Sequence, residues 1–582
     1  MWRDNAMAAA LALLLAAVWA WRDWAALAAL RLPDTDDVMR LQQIRDWLGG
    51  QGFGDLAQHR LGAAGLEMHW SRLPDLVPGA IIALLTPVTG ARAAELVAVI
   101  LWPLLLFAAA LMLVAAIARQ VRASAPVAVI IAALAYPASA LFLPGRIDHH
   151  GLQLVLLLIL VRAVIGPGGW RSGAAAGAAS VASLVVGMET APFLALGGGV
   201  LVLRWVADGA GERLRLLGYG AALVVGLALA ALLFRTSGWG VATCDAFAAP
   251  LWRAAQVAAV APLALALVAR GIATARARLI AALVVGGASG VAALALSPAC
   301  LSPYGGVDPL LERLWLGRVA EAQPLFGAPL DHAIGYVGLA LAGLAATLWQ
   351  WRRTRDMGWA VLAAFQLAAL ALALVQLRGI YAGSLLAAPG LAALIGYARE
   401  RGALALAAAW VVSAGFLYPA LGSLAAPPAP AATCDGGAVL AQLAAQPAGT
   451  VAAPIDLGAY ALAETRHRVL AAPYHRNAQG NLAVYRLIDL PVDAARAEAK
   501  RLRVDLIATC GGAWDELGAP PAGSLRTALR AGTPPDWMTP VAPGASVYRV
   551  ARRAVAGGKA GGSLPPRCCS RHYRCCGPPC RR

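Results

Sequence analysis

Apolar residues fill most of the first 420 positions in long blocks, separated by short polar segments. An apolar block of about 17–25 residues has the length of a membrane helix. Such blocks predict helices near 6–24, 94–118, 125–143, 151–166, 173–187, 190–206, 216–235, 254–269, 279–297, 331–350, 358–376, 382–397 and 403–420, about thirteen in all. The run at 76–88, LVPGAIIALLTPV, is short and interrupted by proline, which predicts a re-entrant or interfacial piece. The first run ends without a small-residue cleavage site, so a retained span is expected rather than a removed signal.

Beyond residue 420 the pattern changes. A Pro/Ala linker, LAAPPAPAAT (424–433), leads into short apolar strands such as GTVAAP, HRVLAAP and VDLIATC, which alternate with helical stretches such as GGAVLAQLAAQ and DAARAEAKRLR. The expected organisation is an α-helical polytopic membrane domain over 1–423, the linker, a small soluble α/β domain over 434–552, and a disordered Cys/Arg-rich tail over 553–582.

Composition narrows the class. Hydrophobic residues make up 60% of the chain and charged residues 14%, against roughly 25% charged in an average soluble domain, and the mean hydropathy is +0.66. These values exclude an ordinary soluble enzyme, a disordered chain and a secreted disulfide scaffold. The net charge of +17 raises the question of nucleic-acid binding, but the cations form no patch. Nearly all are Arg, Lys occurring only at Lys500 and Lys559, and many sit in short tracts between apolar runs. No nucleic-acid partner is expected.

The Arg tracts set an orientation, since short cytoplasmic loops are enriched in Lys and Arg. Arg119/Arg122, Arg204/Arg213/Arg215, Arg270/Arg276/Arg278 and Arg352/Arg353/Arg355 fall on one side. Asp34/Asp36/Asp37, Asp148/His149/His150, Glu189, Asp245 and Glu321 fall on the other. With an odd number of spans, the second set and everything after residue 420 face the periplasm of a bacterial inner membrane. In that oxidising compartment two cysteine pairs are candidates for disulfides, Cys244 with Cys300 in outer loops and Cys434 with Cys510 in the outer domain. The five cysteines of the tail, with His572, match no zinc spacing.

Acids at the outer ends of membrane helices carry the candidate chemistry. LPDTDDVMRLQQIRDWL places Asp34, Asp36 and Asp37 at the head of an amphipathic helix. They read either as an N-cap with favourable charge at the helix N-terminus or as hard oxygen ligands for Mg²⁺ or Mn²⁺. LPGRIDHHGLQLVL sets Asp148 and His150 two apart at the mouth of an apolar helix, where they either cap it or chelate one divalent cation. Glu321, Asp331 and His332 lie in a later outer loop. Arg378 is a cation on the acid-rich side, against the prevailing charge bias; its guanidinium suits bidentate capture of a phosphate or interfacial snorkelling.

Taken in order, these segments resemble the GT-C superfamily of glycosyltransferases that use lipid-linked sugars, most closely the oligosaccharyltransferase catalytic subunit, over roughly residues 1–510. Asp36-Asp37-Val38-Met39-Arg40-Leu41 stands where that family has a first-loop Asp-Pro-x-x-x-x-Arg motif. The resemblance gives Asp36 the role of metal ligand and acceptor-orienting carboxylate, with Asp34 as the alternative. Asp148-His149-His150 is similar to the family's Asp-x-His motif, which makes Asp148 and His150 metal ligands. Arg318-Val319-Ala320-Glu321-Ala322-Gln323-Pro324 resembles the Ser-Val-Ser-Glu-His-Gln-Pro segment, with Glu321 as the loop glutamate, and Arg378 takes the place of an Arg that contacts the donor phosphate. MHWSRLPDL (68–76) is similar to the segment that follows the first loop. The family's Trp-Trp-Asp-Tyr-Gly motif has a reduced counterpart in Ala453-Pro454-Ile455-Asp456-Leu457-Gly458, which keeps the Asp and Gly and lacks both Trp.

The resemblance implies divalent-metal-assisted transfer, with inversion, of a sugar or oligosaccharide from a polyprenyl-(di)phosphate donor to a periplasmic acceptor. With the two Trp absent, the acceptor, whether glycan, lipid or protein, stays open, and Asp456 is the acceptor-side candidate. A multi-pass transporter and a metal-independent envelope polysaccharide polymerase or ligase are the alternatives. The missing internal repeat weighs against the transporter.

Overall fold

The computed structural model describes residues 1–241, 243–300, 306–426 and 436–551. The expected linker largely falls outside these residues, as do Cys434 and the Cys/Arg-rich tail.

Each of the thirteen apolar runs is helical, but not every run is a full span. Among the described residues eight helices are long and apolar enough to cross a membrane: Trp2–Arg22, Ala91–Gln120, Ala191–Asp208, Ala210–Leu233, Ala249–Gly271, Ala275–Leu296, Leu330–Thr354 and Leu377–Arg399. A ninth candidate, Ala403–Ser413 with Leu417–Leu424, is bent by 76°. By length and composition, eight or nine of the thirteen runs meet that criterion, and the others form shorter helices. The run expected at 125–143 forms only a nine-residue helix, Ala125–Ala133, followed by a tight turn at Ala138–Phe142. Pro137 lacks an N–H and disfavours the helical region for Tyr136, which ends the helix there. His150–Ile165, Trp170–Val186 and Met357–Ala373 have 16, 17 and 17 residues, at the lower end of the length that spans a bilayer core. The proline-containing run forms a 14-residue helix, Leu76–Thr89.

Small residues set the closest helix contacts, as expected where lipid supplies no hydrophobic drive between helices. Gly173-Ala-Ala-Ala-Gly177 on Trp170–Val186 faces Ala210–Leu233, and a Cβ at Gly173 would lie 1.9 Å from the Arg215 carbonyl oxygen. The membrane core is continuous, built from residues such as Phe107, Leu160, Phe365 and Leu385.

The C-terminal region carries a five-stranded sheet in the order Arg468–Val469, Thr450–Ala452, Leu506–Ala508, Val547–Val550, Met538–Pro540. The first three strands are parallel, with Val451 beside both Val469 and Leu506, and the last two are antiparallel. Helices Ile455–Glu464, Ala478–Asp489 and Val492–Arg501 connect and cover them.

Two extramembrane segments are welded to this sheet. In the first loop, Met39, Leu56, Leu61, Met68 and Trp70 share one apolar core with Val451, Leu462, Val469 and Leu506. The loop also extends the sheet edge: the Val469 N–H donates to the Arg60 carbonyl at 2.8 Å and the Gly62 N–H to the Val469 carbonyl at 2.8 Å. From the later loop, Leu311 and Leu314 enter a second core with Ile455, Tyr485, Trp514 and Trp537. The acid-bearing loops are thus held between the helical body and the sheet.

Candidate functional site

The site begins at the helix Thr35–Leu48. Asp34 is its N-cap and accepts the Asp36 N–H at 3.0 Å. Arg146 binds Asp34 at 2.8 Å and Asp37 at 3.1 Å, and Asp37 accepts the Asp148 backbone N–H at 2.7 Å. Burial pushes the Asp37 carboxyl up to about 7 despite Arg146. Of the three acids, Asp34 and Asp37 are therefore occupied with structure. Asp36 makes no such ion pair among the described residues; burial, followed by the charges of Asp148 and Asp34, raises its carboxyl well above the usual range.

The Asp148 carboxylate bridges the Nδ1 edges of two stacked imidazoles whose centroids are 4.4 Å apart. His149 Nδ1 is 2.5 Å from Asp148 Oδ1, and His150 Nδ1 is bonded to Oδ2. The opposite edges of both rings meet Glu189 Oε2, His149 Nε2 at 3.4 Å and His150 Nε2 at 3.2 Å. Burial opposes ionisation of Asp148, but the neighbouring imidazoles outweigh it and hold the carboxyl well below its ordinary value. Glu189 is held down in the same way. Arg378 then links Glu189, at 2.8 Å, to Glu321, at 3.5 Å, and the Tyr381 hydroxyl donates to Glu321 at 2.6 Å. Behind Asp148, the fully buried Arg40 pairs with Asp75 at 2.6 Å, and its Nε is 3.8 Å from Asp148 Oδ1.

These groups share one cavity of about 750 Å³. Asp34, Asp36, Asp148, His150, Glu321, Arg378 and Asp456 all border it, together with Glu189. Asp331 and His332 do not; they pair with each other at 3.8 Å at the start of Leu330–Thr354. The donor chemistry fits a divalent cation. Asp148, His149 and His150 each offer a ligand atom, all lie within 4.8 Å of one another, and all are buried; a mixed carboxylate and imidazole set suits Mn²⁺, Zn²⁺ or Fe²⁺ more than Ca²⁺.

The sequence reading did not assign the role taken by Glu189, although its acid at a helix boundary was a signal. It also missed a second cluster at the cavity wall. Asp245 binds His475 at 3.0 Å, His69 at 3.4 Å and Arg476, joining three segments that are distant in sequence. Burial lowers the His69 imidazole to about 3. The Asp245 carboxyl, opposed by burial but surrounded by these partners, is held well below its usual range. The neighbouring Cys244 forms a disulfide with Cys300, Cα–Cα 5.0 Å.

No protein-family model matches the chain, and no curated protein matches it by sequence. Solved structures do. The chain is similar to the archaeal oligosaccharyltransferase AglB from Archaeoglobus fulgidus in complex with an inhibitory peptide and a dolichol-phosphate, at a TM-score of 0.62 and 13% identity, covering 87% of this chain and 69% of that one. The fold is that of an oligosaccharyltransferase. The A. fulgidus oligosaccharyltransferase in complex with Zn and sulfate aligns at a TM-score of 0.58 and 14% identity, over 87% of this chain and 67% of that one. The form tethered to an acceptor peptide containing the NVT sequon aligns at 0.56 and 14%, over 82% and 65%.

Within the oligosaccharyltransferase fold, Asp456 lies in the first turn of Ile455–Glu464 and reaches the cavity. Gly458 has a packing reason of its own, since a Cβ there would fall 1.8 Å from the Ala471 carbonyl oxygen.

Proposed function

We propose that the chain is a multi-pass membrane glycosyltransferase of the bacterial inner membrane, with its cavity and the α/β domain of residues 434–552 facing the periplasm. It moves a sugar or oligosaccharide from a polyprenyl-(di)phosphate donor to an acceptor outside the membrane. The observation that carries this reading is the single cavity in which Asp36, Asp148, His150, Glu189, Glu321 and Arg378 converge at the junction of membrane helices and a soluble domain. The dolichol-phosphate in the A. fulgidus complex supports the donor class, and the Zn in a second complex supports a metal site.

Asp148 and His150, with Asp36 across the cavity, would hold Mn²⁺ or Mg²⁺; when bound, such a cation stabilises negative charge on phosphate oxygens. Arg378 binds the donor phosphate through its guanidinium fork, and Glu189 and Glu321 hold that fork in place. Asp36 orients the acceptor and takes its proton. The acceptor atom forms its bond to the anomeric carbon as the bond to the phosphate oxygen breaks, and the electron pair departs with phosphate. Attack opposite the leaving group inverts the centre.

The test is Asp148→Asn in purified, reconstituted protein, read both by Mn²⁺ titration and by turnover of lipid-linked sugars extracted from the source membranes. The expected outcome is loss of stoichiometric Mn²⁺ binding together with loss of transfer. Undiminished wild-type turnover under chelator would instead assign the chain to a metal-independent polymerase or ligase.

A further inference from the structure

A second cavity of about 740 Å³ adjoins the ionic one, with Trp315, Val319 and Asp456 bordering both. Its volume is within the range of about 300–1,000 Å³ usual for small-ligand sites. Its wall carries both aromatic rings and carboxylates. Trp315, Tyr460, Tyr485 and Trp514 supply the rings, and Asp456 and Glu516 face in from two separate segments, with Glu464 at the margin. Arg31 and Arg318 offset part of that negative charge.

Two features show polar capacity that the fold does not use up. Trp514 is 2% exposed, yet its Nε1–H has no hydrogen-bond acceptor among the described residues; buried donors are ordinarily paired. Trp514 also has φ +61°, a conformation rare for a bulky residue, beside Gly512 at +75° and Gly518 at +76°. The Tyr485 hydroxyl is bonded to Glu516. That carboxylate keeps further lone pairs for hydroxyl donors.

We propose that this second cavity is the acceptor subsite and that it takes a neutral saccharide. Sugar hydroxyls donate to Asp456 and Glu516, and ring C–H faces rest on the half-buried rings of Trp315 and Tyr460. Asp456 and Glu516 set acceptors for hydroxyl donors beside the rings of Trp315 and Tyr460, the pairing of polar and flat apolar surface that suits a saccharide. Asp456, shared by both cavities, marks the passage through which an acceptor hydroxyl reaches the donor. The assignment rests on the glycosyltransferase reading above.

The experiment uses the full chain in nanodiscs and measures equilibrium binding of three probe sets. These are free neutral oligosaccharides of hexose and N-acetylhexosamine units, the same glycans on a lipid anchor, and peptides with and without Asn-x-Ser/Thr. Saturable binding of at least one saccharide is expected, weakened at least about tenfold by Glu516→Gln and by Tyr485→Phe, which retains the core ring. Equal affinity for free and anchored glycan identifies a soluble acceptor, and preference for the anchored form a glycolipid. Preferential peptide binding, binding to no saccharide, or affinity unchanged in both variants overturns the proposal. Donor turnover by the wild-type protein is followed in parallel. Turnover without saccharide binding defeats only the acceptor assignment, and saccharide binding without turnover defeats only the proposed function.

Discussion

Replacing Arg40 by Met tests the electrostatic frame behind the site without touching the cavity. The Arg40 side chain is 0% exposed and that of its partner Asp75 is 2% exposed, and the two are joined at 2.6 Å. The guanidinium also lies 4.9 Å from the centroid of Trp70 and 3.8 Å, through Nε, from Asp148. Met keeps much of the volume but leaves two buried carboxylates without this cation; Arg72, 3.3 Å from Asp75, compensates only one of them. Removing one member of a buried pair costs about 3–5 kcal/mol, and loss of the Trp70 contact moves the figure toward the upper end. In the double variant Arg40→Met/Asp75→Asn the stranded charge at Asp75 is gone, so about 1–3 kcal/mol should return as a coupling energy. Urea unfolding in detergent micelles, followed by the fluorescence of the 18 Trp residues, measures all three variants. A single-variant loss below about 1 kcal/mol, or a double variant no more stable than the sum of the singles, would refute the view that Arg40 neutralises this corner.

Arg378→Ala should raise the apparent KM for the lipid donor by about 10- to 150-fold, the value of one charge-assisted contact of about 1.5–3 kcal/mol. Arg378→Lys should restore part of the loss, and an effect confined to the acceptor would contradict the assigned role. Cys244→Ser/Cys300→Ser should lower stability by about 2–4 kcal/mol, because the disulfide closes a long loop, 56 residues in sequence separation; thermal unfolding with and without reductant reads this. Asp245 has a depressed carboxyl, so its contribution is complete above the ordinary value near 4 and is lost as pH falls below it. The stability difference between wild type and Asp245→Asn should therefore be constant from about pH 5 to 7 and shrink toward pH 3. A difference that grows on acidification would reverse the sign and defeat the assignment.

What the sequence disclosed follows from the range of each interaction. Apolar runs announced every membrane helix, because that signal is local. The strands around Val451, Val469 and Leu506 were legible for the same reason, whereas Met538–Pro540 and Val547–Val550 were not, being short pieces fixed by antiparallel pairing across the sheet. Helix length was less legible at Pro137 and in the 16- and 17-residue helices, where an apolar run does not fix how far a helix extends. Asp148 and His150 stood out through adjacency, and Arg378 through a charge on the unexpected side. The Asp245, His69, His475 and Arg476 cluster left no such trace, since its members are up to 407 positions apart and only the packing of the first loop under the sheet joins them.

That packing also fixes when the site can exist. Asp36 emerges early from the ribosome, but the edge strand at Val469 and the His475 that closes the wall come some 400 residues later, roughly 20–90 s of elongation at about 5–20 residues/s. A chain released before that point can insert helices and display acids, yet it has no enclosed cradle in which to gather them. Incomplete products lack the closing wall by construction.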